Sequence, residues 1–421
     1  MKKLLAIVLA LMLTLSAAAA VAEGVTLNVA WWGGQSRIDA FEGALNQYAT
    51  EKGVAIETQT NGFSDHITSM ATAGTSGDLP EMFMLQQAYM GNFIEGGMLV
   101  DLYPYVESGA LDLSKIPQAV IDTGTFDGKL YGICAGVNAP ALIYNKTLLD
   151  ANGITVKDNM TIDEFCRLSA DIFAKTGVKT YISNWTAYVE YLARTFDCQL
   201  GVGGKLGVPS AAELLPYFAL IERGRQEGWL IDYSVISNAE ATEEQPMVSG
   251  AEPAFSSWCA FWYSNQIASL QSAAPEGVEL AMTTWPSDNT TKSNYLRQAM
   301  CWCLSAQSDK VEDAVALLNW WTNTADAQQF ILGEPGVPAN SEVAAAITDK
   351  LPEVTQKAFD YIVDVVTPNC SSANQLASAG YTELAVLIEE LNEQVYTGLI
   401  SANDAAQKLF DDGAAIMASY K

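Results

Sequence analysis

One histidine, His66, occurs in 421 residues. Any Ser-His-Asp or Cys-His arrangement has to be built on it, and no G-x-S-x-G turn presents a nucleophilic serine. A zinc centre made of histidines is excluded on the same count. Carboxylates are plentiful, so composition still permits a pair flanking a glycosidic bond. Adjacent acids such as Glu389-Glu390 do not make such a pair, because neighbours along a helix do not face each other. They read as solvated. What recurs near the expected strand ends is aromatic rings and amides. Sugars present flat C–H faces fringed by hydroxyls. Rings cover the faces and amides match the hydroxyls, which makes a binding surface without a catalytic pair.

The elements that would position these groups are legible from periodicity. Val25, Leu27, Val29 and Trp31 alternate with Thr26, Asn28 and Ala30, the pattern of a strand. It ends at Trp32-Gly-Gly-Gln-Ser36, and Ile38, Phe41, Leu45 and Tyr48 then recur at helical spacing. That order puts Trp32 and Gln35 at the carboxyl end of a strand, where ligands bind in open α/β sheets. Trp31 is expected in the core, and Trp32, beside two glycines, open to a cleft. A second strand is expected over 54–58. A third, buried strand over 82–85 ends at Gln86-Gln87-Ala-Tyr89. Gln87 and Tyr89 suit hydroxyl recognition there; the alternative is a solvated helix start. Tyr181-Ile-Ser-Asn-Trp185 resembles another strand and its exit loop, with Trp185 at the end.

Composition bounds the remainder. Lys2 and Lys3, the apolar run 4–15 and Ala20-Val21-Ala22 read as a Sec signal peptide over 1–22, cut before Glu23. No cysteine precedes Cys134, so no lipoprotein anchor is expected at the cleavage site, and both periplasm and free secretion stay open. No later apolar run is long enough to span a bilayer. The formal charge is −27, and loss of Lys2 and Lys3 makes it more negative. Such a chain repels nucleic acid and anionic lipid. The length exceeds what one core supports, so two lobes are expected. Seven scattered cysteines spell out no disulfide framework, and Cys301-Trp-Cys303 alternates faces on a strand rather than chelating a metal.

The stretch 130–149, LYGICAGVNAPALIYNKTLL, holds two apolar runs that meet at Asn138 and Pro140. It reads either as a strand crossing between two lobes or as one kinked, buried strand. This stretch resembles the first inter-lobe crossing of the extracellular solute-binding proteins (family 1) of carbohydrate ABC transporters, the class that includes maltose-binding protein. Further stretches match in the same order: Leu27-Asn-Val-Ala-Trp-Trp-Gly-Gly34, Gly77-Asp-Leu-Pro-Glu-Met82, Tyr263-Ser-Asn-Gln266 and Leu332-Gly-Glu-Pro-Gly-Val-Pro338.

The resemblance implies an α/β, two-lobed periplasmic-binding-protein-like (type II) fold with three inter-lobe crossings and a ligand cleft. Lobe 1 would take 24–137 and 305–335, and lobe 2 138–304 and 336–421, with the return crossing at Met300 to Ser305. The implied function is capture of a carbohydrate, with an oligosaccharide the expected ligand, and its delivery to a membrane permease by a monomer. In relatives the loop around 253–263 supplies a ring that stacks on sugar, which makes Trp258 and Trp262 candidates. The full expected site is Trp32, Gln35, Gln87, Tyr89, Asn138, Trp185, Trp258 and Trp262. No catalytic residue, cofactor or metal is expected, although acidic loops leave calcium open. Two rivals stand beside this reading: an exported carbohydrate-active enzyme, and a binding protein for a peptide or polyamine.

Overall fold

The computed structural model describes residues 24–237, 244–250, 252–372, 378 and 380–420. The expected signal segment 1–22 lies outside the described residues. Among them no helix is long and apolar enough to cross a membrane.

In chain order the strands are β1 (Thr26–Trp32), β2 (Ala55–Asn61), β3 (Met82–Leu85), the hairpin β4 (Thr125–Phe126) and β5 (Lys129–Leu130), β6 (Ile133–Cys134), β7 (Val137–Asn138), β8 (Pro140–Asn145), β9 (Cys259–Tyr263), β10 (Leu280–Thr283), β11 (Arg297–Gln298) and β12 (Cys301–Leu304). They form a five-stranded sheet, β2-β1-β3-β12-β6, and a three-stranded sheet, β10-β8-β9. β1 runs parallel to β2 and β3, while β12 lies antiparallel between β3 and β6. The three-stranded sheet is antiparallel throughout.

Both sheets are covered on both faces, which is why their central strands read as unbroken apolar runs. Period-2 alternation sorts each strand between two cores. Met82, Met84, Trp302 and Leu304 face one cluster, and Phe83, Leu85, Cys301 and Cys303 face another. In the smaller sheet Ala141, Ile143 and Ala260 join the first cluster, whereas Leu142, Cys259 and Phe261 enter a separate aromatic-rich one. The helix Gln35–Lys52 buries Phe41, Leu45 and Tyr48 as its spacing demands, and Gly53 stops it in the left-handed region at φ 68°. At the other end of the chain Leu384, Ile388, Leu391 and Val395 seal the aromatic-rich cluster from the helix Tyr381–Thr397. Ser401 caps the last helix, Ala402–Ser419, by accepting from the Asp404 N–H.

The chain leaves the five-stranded sheet after β6, pairs briefly through β7 with β11, and enters the three-stranded sheet as β8. It returns through β11 to β12. Val137 also pairs with Val337, so three chain segments lie side by side. This pairing corrects the expected boundary at 304: Cys301–Leu304 is hydrogen-bonded inside the five-stranded sheet and belongs with 24–137, so the return falls at 297–300 rather than 300–305.

Trp258 needs a second correction. It is 0% exposed and lies 5.8 Å from the Phe165 ring, and its indole N–H donates to Thr180 Oγ1 at 2.8 Å. A ring enclosed on all sides has no face to offer a ligand. Trp258→Ala should cost about 3–5 kcal/mol of stability without any ligand present. Urea unfolding of that variant measures it, and a loss below about 1 kcal/mol would contradict a core role.

Candidate functional site

Three groups of rings and polar side chains gather at the ends of the sheet strands. The first sits past β1 and β3. Trp32 lies 5.3 Å from Phe63, and Phe63 lies 5.7 Å from Tyr89, both in edge-on contact. Tyr89 is 38% exposed, so the outer ring of this row is open. Trp32 is not: at 6% exposure it is covered by Phe63 and by His66, whose ring is 5.3 Å away. The expected open indole is therefore a buried support for its neighbours. His66 is buried too, with Nε2 2.8 Å from the Met84 carbonyl, and burial lowers its pKa. It stays neutral and structural. Gln35 is exposed, but its amide is turned back along its own helix to Asp39 at 2.7 Å. Gln87 is half-buried at the first turn of the helix Gln87–Glu95.

The second group follows the segment 179–182. Asn184 takes a left-handed conformation, φ 53°, a region that asparagine enters more readily than most residues. Its amide donates to the Phe261 carbonyl. Ser183 donates to the same carbonyl at 2.7 Å and accepts from the Phe261 N–H at 2.9 Å. These bonds tie the start of the helix Trp185–Ala193 to β9. Trp185 is half-buried, stands 6.2 Å from both Tyr233 and Tyr396, and donates to the Ile182 carbonyl at 2.7 Å. Its ring is thus fixed, with one side covered by tyrosines. On β9 Trp262 is half-buried against the first core cluster, and its buried indole N–H finds no hydrogen-bond partner among the described residues.

The third group was missed by the sequence reading. Arg297 on β11 is exposed, and its guanidinium lies 4.4 Å above the ring of Tyr263 at the end of β9. Tyr263 is hydrogen-bonded to Tyr295, and Arg194 covers the other tyrosine at 4.8 Å. Glu190 accepts from the Tyr381 hydroxyl at the start of its helix. Burial pushes the Glu190 carboxyl up to about 7; the Tyr381 hydroxyl, Arg194 and Arg297 pull the other way without cancelling it. Only Tyr263 left a signal, inside a quoted motif. A single arginine and a single glutamate carry no periodicity to read.

Asn138 stands corrected as well. It is 5% exposed and donates to the Pro335 carbonyl at 3.4 Å, so it joins backbone segments rather than facing outward. Glycines make that contact possible. A Cβ on Gly136 would meet the Pro335 backbone at 2.6 Å, and one on Gly336 would meet the Val137 carbonyl oxygen at 2.8 Å.

Among the described residues no cluster of three His, Cys, Asp or Glu side chains could hold a metal ion. All seven cysteines are free, and burial pushes the Cys134 thiol up to about 12, away from the reactive thiolate. Exposed rings, amides and an arginine on α/β strand ends define a protein built to bind. The chain belongs to the bacterial extracellular solute-binding proteins, whose family model matches residues 40–359. It is 24% identical over 159 residues to an arabinooligosaccharide-binding protein of Halalkalibacterium halodurans, a match spanning 37% of this chain and 35% of that protein. Its fold superposes with a TM-score of 0.83 on a family 1 extracellular solute-binding protein of Alicyclobacillus acidocaldarius, at 20% identity, covering 94% of this chain and 99% of that one. An oligogalacturonide-binding protein of Yersinia enterocolitica matches with a TM-score of 0.74 at 15% identity, over 94% of this chain and all (100%) of that one.

Glu190 yields a prediction on stability. Its folded pKa of about 7 lies above its ordinary 4.5, so the folded state holds the proton more tightly than the unfolded chain. Stability is then full below about pH 4.5 and falls as pH rises through about 7. Glu190→Gln removes this penalty, so it should gain about 1–3 kcal/mol on the parent between about pH 5 and pH 8. Urea melts at the two pH values decide; a pH-independent difference sinks the assignment.

Proposed function

We propose that this protein is the substrate-binding component of an ABC importer, capturing an oligosaccharide in a cleft between two lobes and handing it to a membrane permease. The observation that carries the reading is family membership together with relatives whose names specify oligosaccharides. One binds arabinooligosaccharides and another oligogalacturonides. The lobes are built around the two sheets, and the three crossings are the segments around β7, β11 and Val337, which pair with one another. The ring groups at Tyr89 and at Trp185 stand on elements attached to different sheets. A ligand touching both favours the closed form, and the permease reads that closure. The protein works as an exported monomer, without catalysis and without nucleic acid.

The proposed ligand-facing set is Gln35, Phe63, Gln87, Tyr89, Trp185, Tyr233, Trp262, Tyr263 and Arg297. Trp32 and Asn138 support it from behind, and Trp258 leaves it. A thermal-shift screen across oligosaccharides, peptides and polyamines tests the class, since a bound ligand raises stability by mass action. Oligosaccharides should raise the melting temperature and stay intact. A shift with peptides or amines alone, or cleavage of the glycan, would overturn the proposal. Within the set, Tyr89→Ala and Trp185→Ala should each weaken sugar binding by ~1–3 kcal/mol, by analogy with base stacking on aromatic side chains. Calorimetric titration of each variant checks this, and unchanged affinity removes that ring from the site.

A further inference from the structure

Arg297 differs in its partners from Arg37, Arg167, Arg194 and Arg223. Arg37 forms a forked ion pair with Glu334 at 2.7 and 3.0 Å. Arg167 and Arg223 each bind Asp163, and Arg194 is buried among the Ser293 carbonyl and the Ser371 hydroxyl. Arg297 is exposed and donates no hydrogen bond to the described residues. Its plane is nonetheless held, 4.4 Å over the Tyr263 ring. That ring is fixed in turn, at the end of β9 and by its bond to Tyr295. The result is a positioned guanidinium with an open fork. It stands on the strand that pairs with β7, beside the backbone that joins the two sheets.

We infer that Arg297 binds a carboxylate of the ligand, which makes that ligand an acidic oligosaccharide carrying uronic acid units. The inference rests on the carbohydrate reading above and sharpens it. A guanidinium presents parallel N–H donors that match a carboxylate two-to-two, and stacking on Tyr263 pre-orients the fork. Neutral sugars offer the same donors only uncharged hydroxyls, without the charge assistance of a carboxylate. The chain as a whole carries −27, so at long range it repels an acidic ligand, and a local cation has to supply the recognition. Glu190 lies within electrostatic reach of Arg297 and is also faced by the Tyr381 hydroxyl and Arg194. Its protonated form leaves the Arg297 charge to the ligand. A uronate arriving there adds negative charge, and Glu190 answers by taking up a proton from solvent.

Calorimetric titration of the full mature chain separates the possibilities. The acidic probes are trigalacturonate and a xylotriose bearing glucuronic acid; their neutral counterparts are the galacturonate methyl ester and plain xylotriose. At least one acidic probe should bind tenfold or more tighter than its neutral counterpart. Arg297→Gln should abolish that preference, bringing the acidic probe down to the affinity of its neutral counterpart, and Arg297→Lys should restore part of it. Repeating the titration near neutral pH in buffers of different ionisation enthalpy should show net proton uptake with the acidic probe alone, a signature that a structural role for Arg297 would not produce. Equal binding of acid and neutral forms, or binding of neutral oligosaccharides only, overturns the inference and leaves the carbohydrate reading standing. Binding of peptides or amines with no glycan overturns both. The acid-versus-neutral comparison is made on the parent protein, so it stands even where a variant folds poorly.

Discussion

Main chain meets main chain closely where Gly136–Asn138 lies against Pro335–Gly336, and the arrangement of the two sheets depends on it. Glycine is required at 136 and 336: a Cβ at either would collide with backbone atoms under 3 Å away. Around them runs a set of backbone hydrogen bonds. Val137 exchanges a pair with Val337 at 2.7 and 3.0 Å, Ala299 donates to Gly136 at 2.9 Å, and Ala135 donates to Met300 at 2.8 Å. Each contributes about 0.5–1.5 kcal/mol. Beside these bonds the joint packs the buried side chains of Val137 and Val337, and the Asn138 amide donates to the Pro335 carbonyl. In the proposed two-lobed reading, small changes in a few dihedrals would turn one sheet relative to the other while these bonds persist. The forked pair of Arg37 with Glu334 adds a second tether, linking the residue after Leu332-Gly333 to the carboxyl end of β1.

Much of the frame was legible because it follows periodicity. β1, β3 and the helix Gln35–Lys52 fall where alternation and helical spacing placed them. The return from the second sheet was misplaced by a few residues for a physical reason. Cys301-Trp-Cys-Leu304 reads as a short apolar strand in either sheet, and only its partners, β3 and β6, decide. Sequence pattern gives a strand its faces but not its neighbours.

The aromatic residues show the same divide. Trp258 and Trp262 are four apart and would share a face on a regular strand. The strand begins only at Cys259, and the Trp258 backbone is shared, donating to the Lys179 carbonyl at 3.0 Å and accepting from the Asn145 N–H at the end of β8 at 2.9 Å. Its ring turns to the opposite core. Among tryptophans, large volume favours burial unless a neighbour keeps the ring at the surface. The ring groups that stay accessible are anchored by polar bonds: Trp185 through Ile182, and Tyr263 through Tyr295. A single-residue anchor leaves no repeat in the sequence, so these positions emerge only from the fold.

Acidic surface and local cation therefore act at different ranges. The net charge keeps the molecule soluble and apart from other polyanions, and mobile ions screen it beyond about 10 Å. Arg297 works at contact distance, where screening is weak, on a ring that removes most of its rotational freedom. An arginine pre-oriented in this way loses little entropy when a planar partner docks. Glu190, within electrostatic reach of it, is enclosed enough to stay close to half-protonated near neutral pH, with a pKa of about 7. It can lower the local negative charge whenever a ligand raises it. In the proposed site, selectivity would then depend on two electrostatically coupled side chains whose separate roles, a fixed cation and a compliant acid, arise from how each is packed.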